Sequence, residues 1–180
     1  MHTDHLSDSD KMMLESLYWW DIPTLFRTPL DRDPANADIA LVGVPHSTGN
    51  GTTERDQHLG PRALRQVSAM SKRVHVEFNI DPWATHRIHD LGDVPLPEGN
   101  NNEACIERIT DFYRKVDAAG ARPVSVGGDH AVTGGIIQGI SGPQSKLTNG
   151  EKAVFLHFDA HPHAYEQVPP FLGAVKSAAH

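Results

Sequence analysis

An α/β fold with a mostly parallel sheet is predicted by two observations. Short, continuous apolar runs, Ile39-Ala40-Leu41-Val42-Gly43-Val44 and Ala153-Val154-Phe155-Leu156-His157-Phe158, suit strands buried on both faces. Between them, stretches with helical apolar spacing alternate with further strand-like runs, the pattern of strand–helix–strand units.

Residues 1–37 read as an N-terminal arm, and 38–180 as part of one domain. In the arm, Leu14, Leu17 and Tyr18 have helical spacing ahead of Trp19-Trp20. A short helix packing its aromatics on the body or on a neighbouring subunit is expected, and Pro23, Pro29 and Pro34 then mark loop. The first strand, 39–44, is stopped by Pro45, and a polar loop follows from His46 to Gly60, over the same sheet edge as the strand end. Pro61 suits the first position of a helix whose apolar side is Ala63, Leu64, Val67 and Met70.

Val74, Val76 and Phe78 alternate with polar residues and predict a strand near an edge; Arg87 to Val94 predicts another. Asn100, with Glu103 three residues on, resembles a capping box, and Cys105, Ile109, Phe112 and Val116 form one helical face that ends at Gly120. Cys105 therefore reads as a core residue and not a nucleophile. Pro123 to Val126 is a short strand, followed by a helix carrying Ile136, Ile137 and Ile140 and loosened by three glycines. Residues 141–152 form a polar loop before the run at 153–158. The abrupt end at Lys176–His180 suggests the first part of a longer polypeptide.

With 16 Lys+Arg against 23 Asp+Glu, the net charge of −7 argues against nucleic acid as a partner. No stretch approaches the length of an apolar membrane span, and the polar, acidic start lacks a secretory layout, so a cytoplasmic location is expected. One cysteine excludes an internal disulfide. Gly49-x-Gly51 lacks the third glycine of a dinucleotide fingerprint and has no phosphate-loop lysine. His2, His5, His75, His86 and His89 carry no spacing signal and are expected on the surface; His157 reads as a packed or supporting residue.

Chemistry is expected where two strands run into acid–histidine clusters, Gly127-Gly128-Asp129-His130 and Asp159-Ala160-His161-Pro162-His163. Ligands of open α/β sheets bind beyond the carboxyl ends of the strands, so both clusters point at one edge. Asp159 and His161 are two apart and can share a face. A carboxylate can bridge two cations, and mixed His/carboxylate sets suit Mn, Fe, Ni or Zn better than Ca or Mg. His161-x-His163 also resembles the strand-end pair of amidohydrolase barrels, a fold that leaves Gly127–His130 unexplained.

These two clusters resemble the first two signature motifs of the ureohydrolase family (arginase, agmatinase, guanidinobutyrase). Gly43-Val44-Pro45 with Leu59-Gly60-Pro61-Arg62-Ala63-Leu64-Arg65 resembles that family's N-terminal block, and Leu91-Gly92-Asp93-Val94 matches in its expected place. The resemblance implies an arginase-like three-layer α/β/α sandwich, incomplete in this chain. It also implies two Mn2+ per site, or Ni2+ in some members, and hydrolysis of a small guanidino substrate to urea and an amine by a metal-held hydroxide. By position, His130 would ligate one metal, Asp159 bridge both and His161 ligate the other. His163 stands where the family has an aspartate, and the third family motif, Asp-x-Asp, is not within these residues. His180 lies near the family's proton-shuttling histidine. A homo-oligomer (trimer or hexamer), or a hetero-oligomer with a homologous subunit, is implied. A catalytically silent or truncated subunit paired with an active homologue is the alternative, favoured by His163.

Overall fold

The computed structural model describes residues 5–48, 56–71, 73–154, 156 and 158. Among them the sheet has three parallel strands, β1 (Ile39–Val44), β2 (Ile88–Asp93) and β3 (Arg122–Gly127), in the order β2-β1-β3. The helices are α1 (Asp8–Ser16), α2 (Gly60–Ser68), α3 (Asn102–Ala119) and α4 (Val132–Ile140). From β1 the chain crosses through α2 to β2 on one side, then through α3 to β3 on the other. Right-handed crossovers in opposite directions put α2 and α3 on opposite faces of the sheet.

β1 is central, and its alternate residues feed two cores. Ala40, Val42 and Val44 meet Ile109, Tyr113 and Val116 of α3 and Val132 of α4. Leu41 joins Leu25 and Ile88 in a second core, edged by Leu64 of α2 and by Val126. The result is helix, sheet, helix: the three-layer sandwich expected. β1 is a continuous apolar run because both faces are covered.

α3 is capped by Asn101, whose Oδ1 accepts the Ala104 N–H at 3.1 Å, one residue later than the expected Asn100. Asn101 holds the extended backbone that a cap requires. The helix ends at Gly120 with φ 80°. Cys105, Ile109 and Val116 are buried as expected, and Tyr113 joins them, its hydroxyl 2.5 Å from Ser125 Oγ on β3. The glycines of α4 form a contact surface where loosening was expected: a Cβ at Gly139 would lie 2.5 Å from Tyr113 Cβ and 2.8 Å from the Thr110 carbonyl oxygen. Their absence of side chains lets α3 and α4 approach closely.

Four other expectations are corrected. The inner face of α2 is Pro61, Leu64, Arg65 and Ser68, whereas Ala63, Val67 and Met70 are exposed. Polar groups hold this face: Ser68 Oγ accepts the Phe26 N–H at 3.0 Å, and Arg65 reaches β2. Residues 74–80 are a single antiparallel bridge, His75 to Ile80, around a tight turn, with Val76 and Phe78 exposed. Among the described residues no neighbouring strand pairs a longer run, and Asn79 at φ 50° bends the chain. In the segment 153–158, the described residues 153, 154, 156 and 158 are outside any strand; Val154 is 96% and Phe158 86% exposed. A continuous apolar run does not by itself supply the layers that would bury a strand. His89 is half-buried, with Nδ1 3.6 Å from Asp31 Oδ2, because residues 29–31 run alongside β2.

In the N-terminal segment, α1 is closed by a capping box between Ser7 and Asp10 and has no buried residue; Trp19 and Trp20 are exposed. Farther on, Leu25 is fully buried and its N–H donates to Asp90 at 2.8 Å. Among the described residues no helix is long and apolar enough to cross a membrane.

Candidate active site at the strand ends

The strand order reverses at β1: the chain leaves it towards β2 and returns to its other side at β3. In doubly wound sheets such a reversal opens a crevice beyond the carboxyl ends of the two strands that flank it, here β1 and β3. The strand ends are level, with Val44 beside Gly127 on one side and Gly43 beside Asp93 on the other. The residues that follow β1 and β3 therefore meet at one edge.

They are tied together by main-chain bonds. Gly128 N–H donates to the Val44 carbonyl at 3.1 Å, and Asp129 N–H to the His46 carbonyl at 2.8 Å. Any side chain at Gly128 would overlap the His46 carbonyl oxygen, so glycine is required there by the closeness of the two segments. Asp129 is buried, and its Oδ1 accepts the Ala131 N–H at 3.1 Å, an aspartate turn that leads into α4. His130 sits between, half-buried, its carbonyl accepting the Thr133 N–H at 3.2 Å. The Gly127–His130 motif is thus a rigid corner bonded to the end of β1.

His46 is 2% exposed. Its Nε2 lies 2.8 Å from Asn102 Oδ1 at the start of α3, and Thr48 Oγ1 lies 3.3 Å from Nδ1. Sequence reasoning placed His46 only as the first residue of a polar loop over this edge. The available signal was its place directly after Pro45, where β1 ends.

A second polar centre lies behind the β2 side of the edge. Arg65 Nε and Nη2 donate to the two oxygens of Asp90 at 2.7 and 2.9 Å, and Nη1 to Asp93 Oδ1 at 2.6 Å. Burial alone would push the Asp90 carboxyl up; Arg65 and the N–H groups of Leu25 and Gly92 overcome this and hold it below the usual carboxylate range. The two sequence blocks, Leu59–Arg65 and Leu91–Val94, are therefore joined through Arg65. Cys105 is buried, and burial pushes its thiol up, which keeps it protonated and unreactive.

Of the four candidate metal ligands, His130 is at this edge, while Asp159, His161 and His163 lie outside the described residues, as does the candidate proton carrier His180. Among the described residues no three His, Cys, Asp or Glu side chains gather as a metal site. Of the loop 46–60, residues 46–48 and 56–60 are described, and Ser47 Oγ lies 3.3 Å from His58 Nδ1 across its two ends.

The model of the arginase family matches residues 37–169. Guanidinopropionase of Pseudomonas aeruginosa is 39% identical over 140 residues, covering 78% of this chain and 41% of that protein. A hypothetical agmatinase from Burkholderia thailandensis superimposes with a TM-score of 0.71 at 23% identity, over 90% of this chain and 51% of that one. Formiminoglutamase of Trypanosoma cruzi, solved with Mn2+, superimposes with a TM-score of 0.55 at 22% identity, over 67% of this chain and 40% of that one. The chain thus spans about half or less of the length of each of these proteins.

Proposed function

Because the chain belongs to the arginase family, we propose that the protein hydrolyses a small guanidino compound to urea and an amine at a binuclear metal centre. The observation that carries this is the place of the Gly127–His130 corner: it closes the crevice at the carboxyl ends of β1 and β3, where a doubly wound sheet takes its ligand.

His130, Asp159, His161 and His163 would hold the metals. One carboxylate with three imidazoles is a donor set for Mn2+ or Ni2+ and a poor one for Ca2+ or Mg2+. A bound pair supplies an activated water and Lewis-acid polarisation of the guanidino group. This chain's own contribution is orientation. Asp129, by bonding the Ala131 N–H, sets the backbone from which the His130 imidazole projects, and the Val44 and His46 carbonyls hold that backbone against β1. His180 would carry a proton to the departing amine nitrogen.

Urea release by the full protein, loaded with Mn2+ or Ni2+, from agmatine, guanidinobutyrate, guanidinopropionate and arginine tests the reaction. Release from at least one supports it; none, with metal bound, overturns it. His163 in the family's aspartate place favours one other function, a silent subunit that pairs with an active homologue. That subunit would bind little metal and release urea only when mixed with its partner.

A further inference from the structure

We propose that His46 is a positioning residue for the metal-binding corner, its buried imidazole setting the main chain on which Gly128, Asp129 and His130 rest. The Asn102 side-chain oxygen can only accept, so the imidazole Nε2 carries the hydrogen that bridges the 2.8 Å between them. Nδ1 is then left with a lone pair, and the Thr48 hydroxyl lies 3.3 Å from it and 3.4 Å from Nε2. With Nε2 bonded to Asn102, Thr48 Oγ1 beside the ring and 2% of the residue's surface exposed, the imidazole is closely confined.

That orientation is transmitted. The carbonyl of the same residue accepts the Asp129 N–H at 2.8 Å, and Gly128 packs on it too closely for any side chain. Asn102 is the first residue of α3, a helix anchored in the main core by Ile109, Tyr113 and Val116. The contact therefore runs from a packed helix, through one imidazole, to the backbone next to His130. A leucine or phenylalanine could fill the space but would make no hydrogen bond to Asn102 at the start of α3. Buried partners of this kind set the aim of a metal ligand without touching the metal.

The consequence for metal rests on the proposed function above; the attachment itself does not, and the test separates them. Three variants of the full protein are compared: His46→Leu, Asn102→Ala and His46→Gln, the last keeping an N–H near the Nε2 position. Hydrogen exchange at the Asp129 amide reads the attachment, and Mn2+ titration by calorimetry reads its effect. Exchange faster by about tenfold in His46→Leu and Asn102→Ala, with His46→Gln close to wild type, is expected. Mn2+ affinity should fall about tenfold in the same two variants and recover in His46→Gln. An Ile109→Val core variant, destabilised to a similar melting temperature, should leave Mn2+ affinity unchanged; loss there too would reduce His46 to a stabilising residue and overturn the proposal. Unchanged Asp129 exchange in both His46→Leu and Asn102→Ala overturns it outright. If wild type binds no Mn2+, the metal function fails while exchange alone still decides the attachment. If His46→Leu does not fold, Asn102→Ala breaks the same bond from its other end and carries both measurements.

Discussion

Arg65 grips Asp90 with two parallel hydrogen bonds, Nε to Oδ2 at 2.7 Å and Nη2 to Oδ1 at 2.9 Å, in a place where the carboxylate has no exposed surface. The remaining acceptor sites of Asp90 take the N–H groups of Leu25 and Gly92 at 2.8 and 2.9 Å. One carboxylate thus joins α2, the N-terminal segment and β2, with no lone pair wasted. Removing the cation alone strands a buried charge. Arg65→Met, which keeps much of the stem, should lower stability by about 3–5 kcal/mol, read as the urea unfolding midpoint. The double change Arg65→Met with Asp90→Leu should recover part of the loss, because an apolar pair needs no desolvation. A single-variant loss below about 1 kcal/mol would place the pair among weak surface bridges.

The same carboxylate predicts an acid limb. Burial pushes Asp90 up, yet Arg65 and two N–H groups hold it lower than in the unfolded chain. Asp117 is alike: burial opposes the charge, while the N–H groups of Leu147 and Lys146 and the Ser145 hydroxyl win and lower it. A depressed folded value means the unfolded chain binds the proton first. The stabilisation is complete above the unfolded value near about pH 4 and is lost as pH falls through the folded value. Urea midpoints should be flat near neutrality and drop below about pH 4. Asp90→Asn should flatten part of that drop; an identical slope in the variant and wild type would exclude Asp90 as a source.

Much of this was legible in the sequence, and the failures share a cause. β1 could be read because burial on both faces leaves a run of apolar residues, and α3 because its buried stripe is apolar. The inner face of α2 was misread because Arg65 and Ser68 hold it, and polarity points outward by rule. The exposed Val76 and Phe78, and the exposed Val154 and Phe158, have no covering layer among the described residues, so alternation at 74–78 and an apolar run at 153–158 suggest strands that find no partner there. At the site, the Gly127–His130 motif was visible because glycine, acid and histidine cluster at one strand end. His46 was not, since its partner Asn102 is 56 residues away and only folding brings them together.

Gly139 predicts a sign reversal. In a solvated helix, alanine for glycine gains about 1 kcal/mol from propensity. Here the added methyl would sit 2.5 Å from Tyr113 Cβ and 2.8 Å from the Thr110 carbonyl oxygen, both on α3. Neither is the far end of a flexible side chain, so α4 must move away from the core. Gly139→Ala should therefore cost about 1–3 kcal/mol, measured as a lower melting temperature. A neutral or stabilising outcome would mean that α3 and α4 separate without cost.

His163 and His130 test the metal centre from opposite directions. Imidazole at 163 is neutral and offers one donor atom, whereas a carboxylate offers two oxygens and a negative charge against the cation. If 163 faces the metals, His163→Asp should tighten Mn2+ binding by about tenfold or more and raise the Mn2+ retained through purification. His130→Ala should do the reverse. The main-chain bonds of its corner, to the Val44 and His46 carbonyls and in the Asp129 turn, remain in the variant, so the metal-free protein should still fold and show a cooperative melting temperature. Metal content measured by mass spectrometry, with that melting temperature alongside, separates a lost ligand from a lost fold. Equal Mn2+ content in wild type, His163→Asp and His130→Ala would remove both residues from the centre, and with them the proposed donor set.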